Sequence, residues 1–363
     1  MSGKLRVALL FGGRSAEHEV SLLSAQYVFT ALTEAGYQVT PIGVGRDGRW
    51  HRCDGQAGLP AAVPESGGEV ALAPGGGGRL FALGGDAGAT LEVDVVFPVL
   101  HGPFGEDGTV QGLLEVADVP YVGAGVLGSA AAMDKDVAKR LLHEAGLPIP
   151  RFIACRAADR PSFAEACAAL GGTPLFVKPA RLGSSVGVSK ATDAAGFETA
   201  TALAFRYDDK ILIEEFVDAR EIECAVLESA SGLVASIPGE IVPATEQHGF
   251  YSYAAKYLDQ SGARLDLPAQ LPEETEARVR TLALQCFRVL GCEGMARVDF
   301  FLHKGTGRVL INEANTIPGF TAISMYPKLM AASGVPGPQL VEQLIGRAMA
   351  RWQARRALSS SRN

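Results

Sequence analysis

The apolar positions of the first hundred residues fall into two rhythms. Residues 5–11 (LRVALLF), apolar at every position but Arg6, make a continuous run of strand length, the mark of a strand buried on both faces. A helix is predicted from about Glu17 to Ala35, with Gly36 as its stop. Residues 38–44 (QVTPIGV) and 92–100 (EVDVVFPVL) read as further strands, and a helix after Gly108 runs to about Asp118. Strand, helix, strand in this order predicts a parallel sheet with buried strands. Residues 55–90 interrupt the rhythm: eleven of these 36 positions are glycine, including the run Gly75 to Gly78. They are expected to form a surface excursion with room for a hairpin.

A boundary is placed at the glycine-rich stretch 123–129 (GAGVLGS). Beyond it the pattern predicts a helix over about 134–145 that ends at Gly146, and a capping box, Ser162 to Glu165, opening a helix over 162–170. A strand at 174–179 (PLFVKP), a turn at 182–187 and a short strand at 186–190 predict a hairpin over a ligand. A helix at about 193–206 and a strand at 210–217 (KILIEEFV) follow, with a second boundary near 217–219. Strands at 220–228 and 233–237 alternate in the antiparallel manner. Residues 244–268 lack a clear period and carry Phe250, Tyr251, Tyr253 and Tyr257, so they read as a long loop of the functional kind. Pro272 opens a helix that stops at Gly291, strands come at 294–302 and 308–313, and a last helix covers about 337–353. The chain thus divides into 1–125, 126–217 and 218–363.

Composition narrows the function. With 363 residues, 47% hydrophobic and 20% charged, the chain can bury sizeable cores and is not disordered. Its net charge of −7 argues against nucleic acid or an anionic membrane as a general partner. No uncharged apolar run approaches the ~20 residues of a bilayer span, and the start, MSGKLRVALLF, reads as a strand instead of a signal peptide. The six cysteines form no C-x-x-C pair; buried free thiols in a reducing cytoplasm are expected.

Four segments carry candidate chemistry. Gly12-Gly13-Arg14-Ser15-Ala16-Glu17 sits between strand and helix but lacks the G-x-G-x-x-G dinucleotide fingerprint. Taken alone, Glu17 fits a helix-dipole cap better than a ligand contact. Lys178 followed by Gly183-Ser184-Ser185-Val186-Gly187 offers backbone N–H groups, hydroxyls and a point charge, a phosphate loop that is not a Walker A. Arg297 and Asp299 on one strand, with Glu313 and Asn315 on the next, place oxygen ligands at strand spacing, as a Mg²⁺ bridging phosphates requires. Arg297 shares a face with Asp299 and is placed to stabilise developing negative charge. His101-Gly-Pro-Phe-Gly-Glu106-Asp107-Gly follows the third strand, where open α/β sheets bind ligands; a plain glycine-rich loop is an equal reading.

Together these segments closely resemble the bacterial D-alanine–D-alanine ligases of the ATP-grasp superfamily. The resemblance rests on FGGRSAEHEVS (11–21), HGPFGEDGTVQG (101–112), MDK (133–135), FVKPARLGSSVGVSK (176–190), ILIEEFV (211–217), FYSYAAKY (250–257), GMARVDFFL (294–302) and LINEANTIPGFTAISMYP (310–327), all in order. It implies an α/β chain: an N-terminal parallel α/β substrate domain, then a two-domain ATP-grasp fold of α+β character, with ATP between the last two domains. It implies that Lys135, Lys178 and Lys256 meet the ATP phosphates under a lid at Gly183, Ser184 and Ser185. Glu214, with Glu215 and Val217 beside it, would face the adenine, and Glu221 the ribose. Asp299, Glu313 and Asn315 would hold two Mg²⁺ or Mn²⁺ ions, with room for a monovalent cation. Glu17 would grip the first D-alanine's ammonium, with His101 nearby. Arg297 and the N–H of Gly319 would form the oxyanion site, and Ser324 would bind the second D-alanine's carboxylate. Glu17, Ser184 and Tyr257 would link substrate, lid and long loop.

The implied reaction runs through a D-alanyl phosphate that the amine of a second D-alanine attacks, for peptidoglycan precursor synthesis by a cytoplasmic homodimer. Relatives that use D-lactate or D-serine are the alternative; Tyr257 and Lys256 in the long loop favour an amine. A non-catalytic ATP-binding sensor is disfavoured because Asp299, Glu313, Asn315 and Arg297 are all present.

Overall fold

The computed structural model describes residues 4–56, 58–83, 88–243 and 263–358. Its first part contains β1 (Arg6–Gly12), α1 (His18–Glu34), β2 (Gln38–Val44), β3 (Trp50–Arg52), β4 (Val70–Leu72), β5 (Arg79–Ala82), β6 (Thr90–Glu92), β7 (Val95–Val99) and α2 (Thr109–Val116). The main sheet has the order β3-β2-β1-β7, and β1 is parallel to both β2 and β7. Its apolar strands are buried on both sides, as continuous runs require. The carboxyl ends of β1 and β7 open into the turn before α1 and the loop before α2.

Three expectations change here. Residues 92–100 do not make one strand: Thr90–Glu92 and Val95–Val99 lie in different sheets. Asp94 marks the break, its carboxylate accepting from the Arg6 amide (2.7 Å) and guanidinium (2.8 Å). The glycine-rich excursion is more than a hairpin. It is an antiparallel β4-β5-β6 sheet whose Val70 and Leu80 join a core with Leu10, Ile42 and Val96. Trp50–Arg52 is an added edge strand.

The middle part holds α3 (Val126–Met133), α4 (Lys135–Glu144), β8 (Phe152–Cys155), α5 (Phe163–Leu170), β9 (Leu175–Pro179), β10 (Ser189–Ala191), α6 (Ala194–Phe205) and β11 (Ile211–Glu215). The antiparallel sheet runs β10-β9-β11-β8. The capping box of Ser162 and Glu165 forms. The glycine-rich 123–129 stretch turns into α3 at Val126; a Cβ at Gly128 would overlap the Gly291 carbonyl oxygen, so glycine there serves close packing instead of a turn. The hairpin after Lys178 is real, but its second strand begins at Ser189; Ser184 (φ +50°), Ser185 (φ +60°) and Gly187 (φ +72°) hold the preceding residues out of extended geometry.

The last part holds β12 (Ala219–Ser229), β13 (Gly232–Ala235), β14 (Gly239–Pro243), β15 (Ala263–Asp266), α7 (Glu273–Val289), β16 (Met295–His303), β17 (Val309–Asn315), α8 (Met325–Ala332) and α9 (Gly337–Arg356). The sheet order is β15-β14-β12-β16-β17, with β13 paired to β12. Residues 263–266 of the expected long loop therefore belong to a strand paired with β14; Lys256, Tyr257 and the loop's other aromatics lie outside the described residues. Period two divides this sheet into two faces. Ile222, Cys224, Val298, Phe300 and Ile311 pack with Leu282 and Phe287 of α7. The opposite face places Glu223 across from Asp299, and Asp299 across from Glu313. The six cysteines are unpaired and buried, except the half-buried Cys167. Among the described residues no helix is long and apolar enough to cross a membrane.

Candidate active site

The polar face of the β12-β16-β17 sheet lies against the loops at the carboxyl end of the first sheet. Between them is a narrow cavity that opens to solvent. It is lined by Glu17, His101, Glu106, Lys135, Gly183, Ser184, Arg297, Glu313, Asn315 and Gly319, among others. Residues more than 200 positions apart thus meet at one site.

Glu17 occupies the N-cap position of α1 but makes no side-chain cap bond. Its buried carboxylate instead accepts a hydrogen bond from the Ser184 hydroxyl. Two glycines allow this approach. A Cβ at Gly102 would lie 2.6 Å from a Glu17 carboxylate oxygen, at a backbone φ of +77° that favours glycine. A Cβ at Gly183 would lie 3.2 Å from the same oxygen.

His101 is buried, and burial pushes its pKa down to about 4. Glu106 is pushed up to about 8 by burial and by the nearby Glu17 carboxylate. Its Oε1 accepts from the Gly102 amide at 2.7 Å. The 3.9 Å approach of His101 to Glu106 is therefore no ion pair at neutral pH, because the imidazole is uncharged there.

Cations line the other side. The Lys135 ammonium donates to the Leu182 carbonyl at 2.7 Å and lies 3.5 Å from Glu313. Lys178 lies 2.7 Å from Glu214, whose second oxygen is 2.9 Å from Lys139. Burial acts to raise the Glu214 pKa, but the two ammonium groups overcome it and hold the carboxyl at about 2. This carboxylate is spent on lysines, a different placement from one turned only to an adenine. Glu215 pairs with Arg151 at 2.6 Å, and Val217 is half-buried beyond the end of β11. Glu221 is half-buried two positions before Glu223 on β12.

Arg297 forms a two-pronged pair with Asp299, both contacts at 2.7 Å, and lies 3.1 Å from Glu223. The Asn315 side-chain amide donates to Asp299 at 3.0 Å. Two carboxylates and a carboxamide on one face are an all-oxygen donor set that suits a hard divalent cation. Among the described residues no group of three or more His, Cys, Asp or Glu side chains is arranged to hold a metal by itself. Ser324 precedes α8, and its hydroxyl accepts from the Thr321 amide at 3.1 Å.

Sequence reasoning assigned no role to Lys139, Glu223 or Ser24. Lys139 had a signal, four residues after Lys135 on one helix face, and Glu223 had strand alternation with Asp299 across the ladder. Glu106 stood within a quoted motif without a role.

Comparisons with known proteins agree over the whole chain. Residues 6–124 match the family described as D-ala D-ala ligase N-terminus, and residues 141–346 match D-ala D-ala ligase C-terminus. A D-alanine–D-alanine ligase A of Mesorhizobium japonicum is 58% identical over 98% of this chain and all of its own length. A D-alanine–D-alanine ligase of a Bradyrhizobium species is 54% identical over 99% of this chain and all of its own length. The solved D-alanine–D-alanine ligase of Coxiella burnetii superimposes with a TM-score of 0.86 at 36% identity, covering 98% of this chain and 97% of that one. The VanG D-Ala:D-Ser ligase of Enterococcus faecalis gives 0.81 at 34% identity, covering 95% and 99%.

Proposed function

The chain belongs to the D-alanine–D-alanine ligase family, has the ATP-grasp fold and joins two D-alanines with ATP for cell-wall synthesis, and we propose that the single cavity described above performs both chemical steps. The observation that carries this reading is the pairing, in one cavity, of the buried Glu17 carboxylate with a sheet face bearing Arg297 and Glu313.

Glu17 receives the first D-alanine's ammonium, with His101 beside it. The carboxylate oxygen of that D-alanine attacks the γ-phosphorus of ATP, the bond from γ-phosphorus to the β–γ bridging oxygen breaks, and ADP leaves with D-alanyl phosphate in place. Lys135 and Lys178 offset phosphate charge in that transfer, with Lys256 of the long loop as a third lysine. Gly183, Ser184 and Ser185 cover the phosphates, and the Ser184–Glu17 contact couples this cover to the first substrate. Glu214, Glu215 and Val217 border the base, and Glu221 the ribose. Asp299, Glu313 and Asn315 would hold Mg²⁺ or Mn²⁺, which supplies positive charge to the phosphates when bound; a monovalent cation completes the proposed ion set.

Ser324, at the N-terminus of α8, receives the second D-alanine's carboxylate. The neutral amine of that second D-alanine attacks the acyl carbonyl, and the oxygen that gains charge faces Arg297 and the Gly319 N–H. Collapse breaks the bond from the carbonyl carbon to the phosphate oxygen, the departing phosphate takes up the proton the nitrogen sheds, and the dipeptide remains. Tyr257, with Glu17 and Ser184, would close the site against water, which hydrolyses an acyl phosphate.

We place the substrate domain at 1–125, the central ATP-grasp unit at 126–217 and the C-terminal unit at 218–363, in a cytoplasmic homodimer. The test is phosphate release from Mg-ATP with D-alanine alone, and with limiting D-alanine plus D-lactate or D-serine, products being identified by mass. D-alanyl-D-alanine as the dominant product is expected. A dominant mixed product would move the second site to another acceptor, the reading that the likeness to VanG would then favour.

A further inference from the structure

A serine hydroxyl buried in the middle of a helix must find partners inside the protein. Ser24 of α1 is fully buried, and its partners are in the catalytic loops. The Nδ1–H of His101 donates to the Ile317 carbonyl at 3.0 Å, which leaves Nε2 as an acceptor. The Ser24 hydroxyl lies 2.9 Å from Nε2 and donates to it. The Ser24 oxygen in turn accepts from the Phe320 amide at 3.1 Å. His101 and Ser24 therefore hold the chain at residue 317 and at residue 320, and they hold each other.

Only Pro318 and Gly319 lie between these two points, and both line the cavity. Proline has no N–H and a fixed φ, so Gly319 supplies the span's one amide N–H. We infer that Ser24 is a positioning residue: with His101 it braces the 317–320 turn from the N-terminal part of the chain and aims the Gly319 N–H at the reacting oxygen. The inference rests on the reading of Gly319 as an oxyanion donor. Burial keeps His101 neutral down to about pH 4, so this tautomer persists across the neutral range. Phe320 is fixed independently by packing on Phe97 and Tyr326, so loss of the hydroxyl should shift the turn without releasing it.

The test compares Ser24→Ala with Ser21→Ala. Ser21 is equally buried on the same helix, but its hydroxyl bonds to Val99 and Gly12. For each, kcat, KM for ATP and D-alanine, and the affinity of a phosphinate dipeptide analogue with a tetrahedral P–O⁻ would be measured. Misplacing a reacting geometry by a fraction of an ångström is worth roughly 10- to 100-fold. Ser24→Ala should lower kcat and phosphinate affinity together by about that factor, with the ATP KM within about twofold. Ser21→Ala should lose melting temperature but hold phosphinate affinity within about threefold of wild type. Adding His101→Ala to Ser24→Ala should cost less than the product of the two single effects, because the two share one brace. If Ser24→Ala proves unstable, Ser24→Cys, of similar volume, is read the same way. Equal loss of phosphinate affinity in the Ser21 and Ser24 variants, or wild-type kcat in Ser24→Ala, would overturn the inference. If wild-type enzyme binds the phosphinate no more tightly than D-alanine, the oxyanion reading itself fails.

Discussion

Replacing Lys139 by methionine removes one of two ammonium groups from a carboxylate that water does not reach. Lys139 is fully buried, and its Nζ lies 2.9 Å from Glu214 while Lys178 lies 2.7 Å from the same carboxylate. Among the described residues neither Lys139 Nζ nor the facing Glu214 oxygen makes an aligned hydrogen bond, so the two attract as charges. At an effective dielectric constant of about 20, that attraction is about 6 kcal/mol before desolvation. Breaking a buried pair typically costs about 3–5 kcal/mol net. Glu214 keeps Lys178, so the low end, about 3 kcal/mol, is expected, a drop of roughly 4 °C in apparent melting temperature. The functional effect is the sharper readout. With Lys139 gone, Lys178 becomes the sole counter-ion of Glu214 and is less available to a phosphate. The Kd for a non-hydrolysable ATP analogue, measured by calorimetry, should rise about tenfold or more, and Lys139→Arg should recover part of it. A Lys139→Met protein that binds the analogue with wild-type affinity would refute the argument that Lys139 sets the charge available at Lys178.

Two more outcomes follow from the first-substrate end of the cavity. Gly102→Ala places a Cβ 2.6 Å from the Glu17 carboxylate at a φ of +77°, so KM for D-alanine should rise at least about tenfold while ATP affinity holds; unchanged steady-state kinetics would show that Glu17 need not sit where it does. Glu106 binds its proton more tightly in the folded chain, with a pKa near 8 against 4.5. Its stabilising contribution is complete below about pH 4.5 and is lost as pH rises toward 8. Glu106→Gln should therefore flatten the decline of melting temperature over that window, and a variant as pH-sensitive as wild type would contradict this.

Much of the framework was legible because its signals are local. The apolar run at 5–11, Gly36 after α1 and the Ser162–Glu165 box each determine their element within a few residues. The Arg297–Asp299 face was readable from period two alone. The chemistry that escaped depends on contacts distant in sequence. Lys139 matters only because α4 packs its side chain onto β11, and Ser24 only because α1 meets residues 317–320, nearly 300 positions later. Glu17 shows the same limit from the other side. Its position before α1 reads as a dipole cap, yet the structure turns its carboxylate to Ser184. Residues 70–92 formed a sheet despite their glycines because Val70 and Leu80 alternate inward between turns, a period too short to stand out among eleven glycines.

The central claim is that the first D-alanine's carboxylate attacks ATP before any amide forms. D-alanine labelled with ¹⁸O in its carboxyl group, turned over with unlabelled Mg-ATP, tests this directly by mass analysis of the released phosphate. One ¹⁸O atom in each phosphate, with ADP as the nucleotide product, is the predicted result. Unlabelled phosphate, or AMP and pyrophosphate in place of ADP and phosphate, would contradict it.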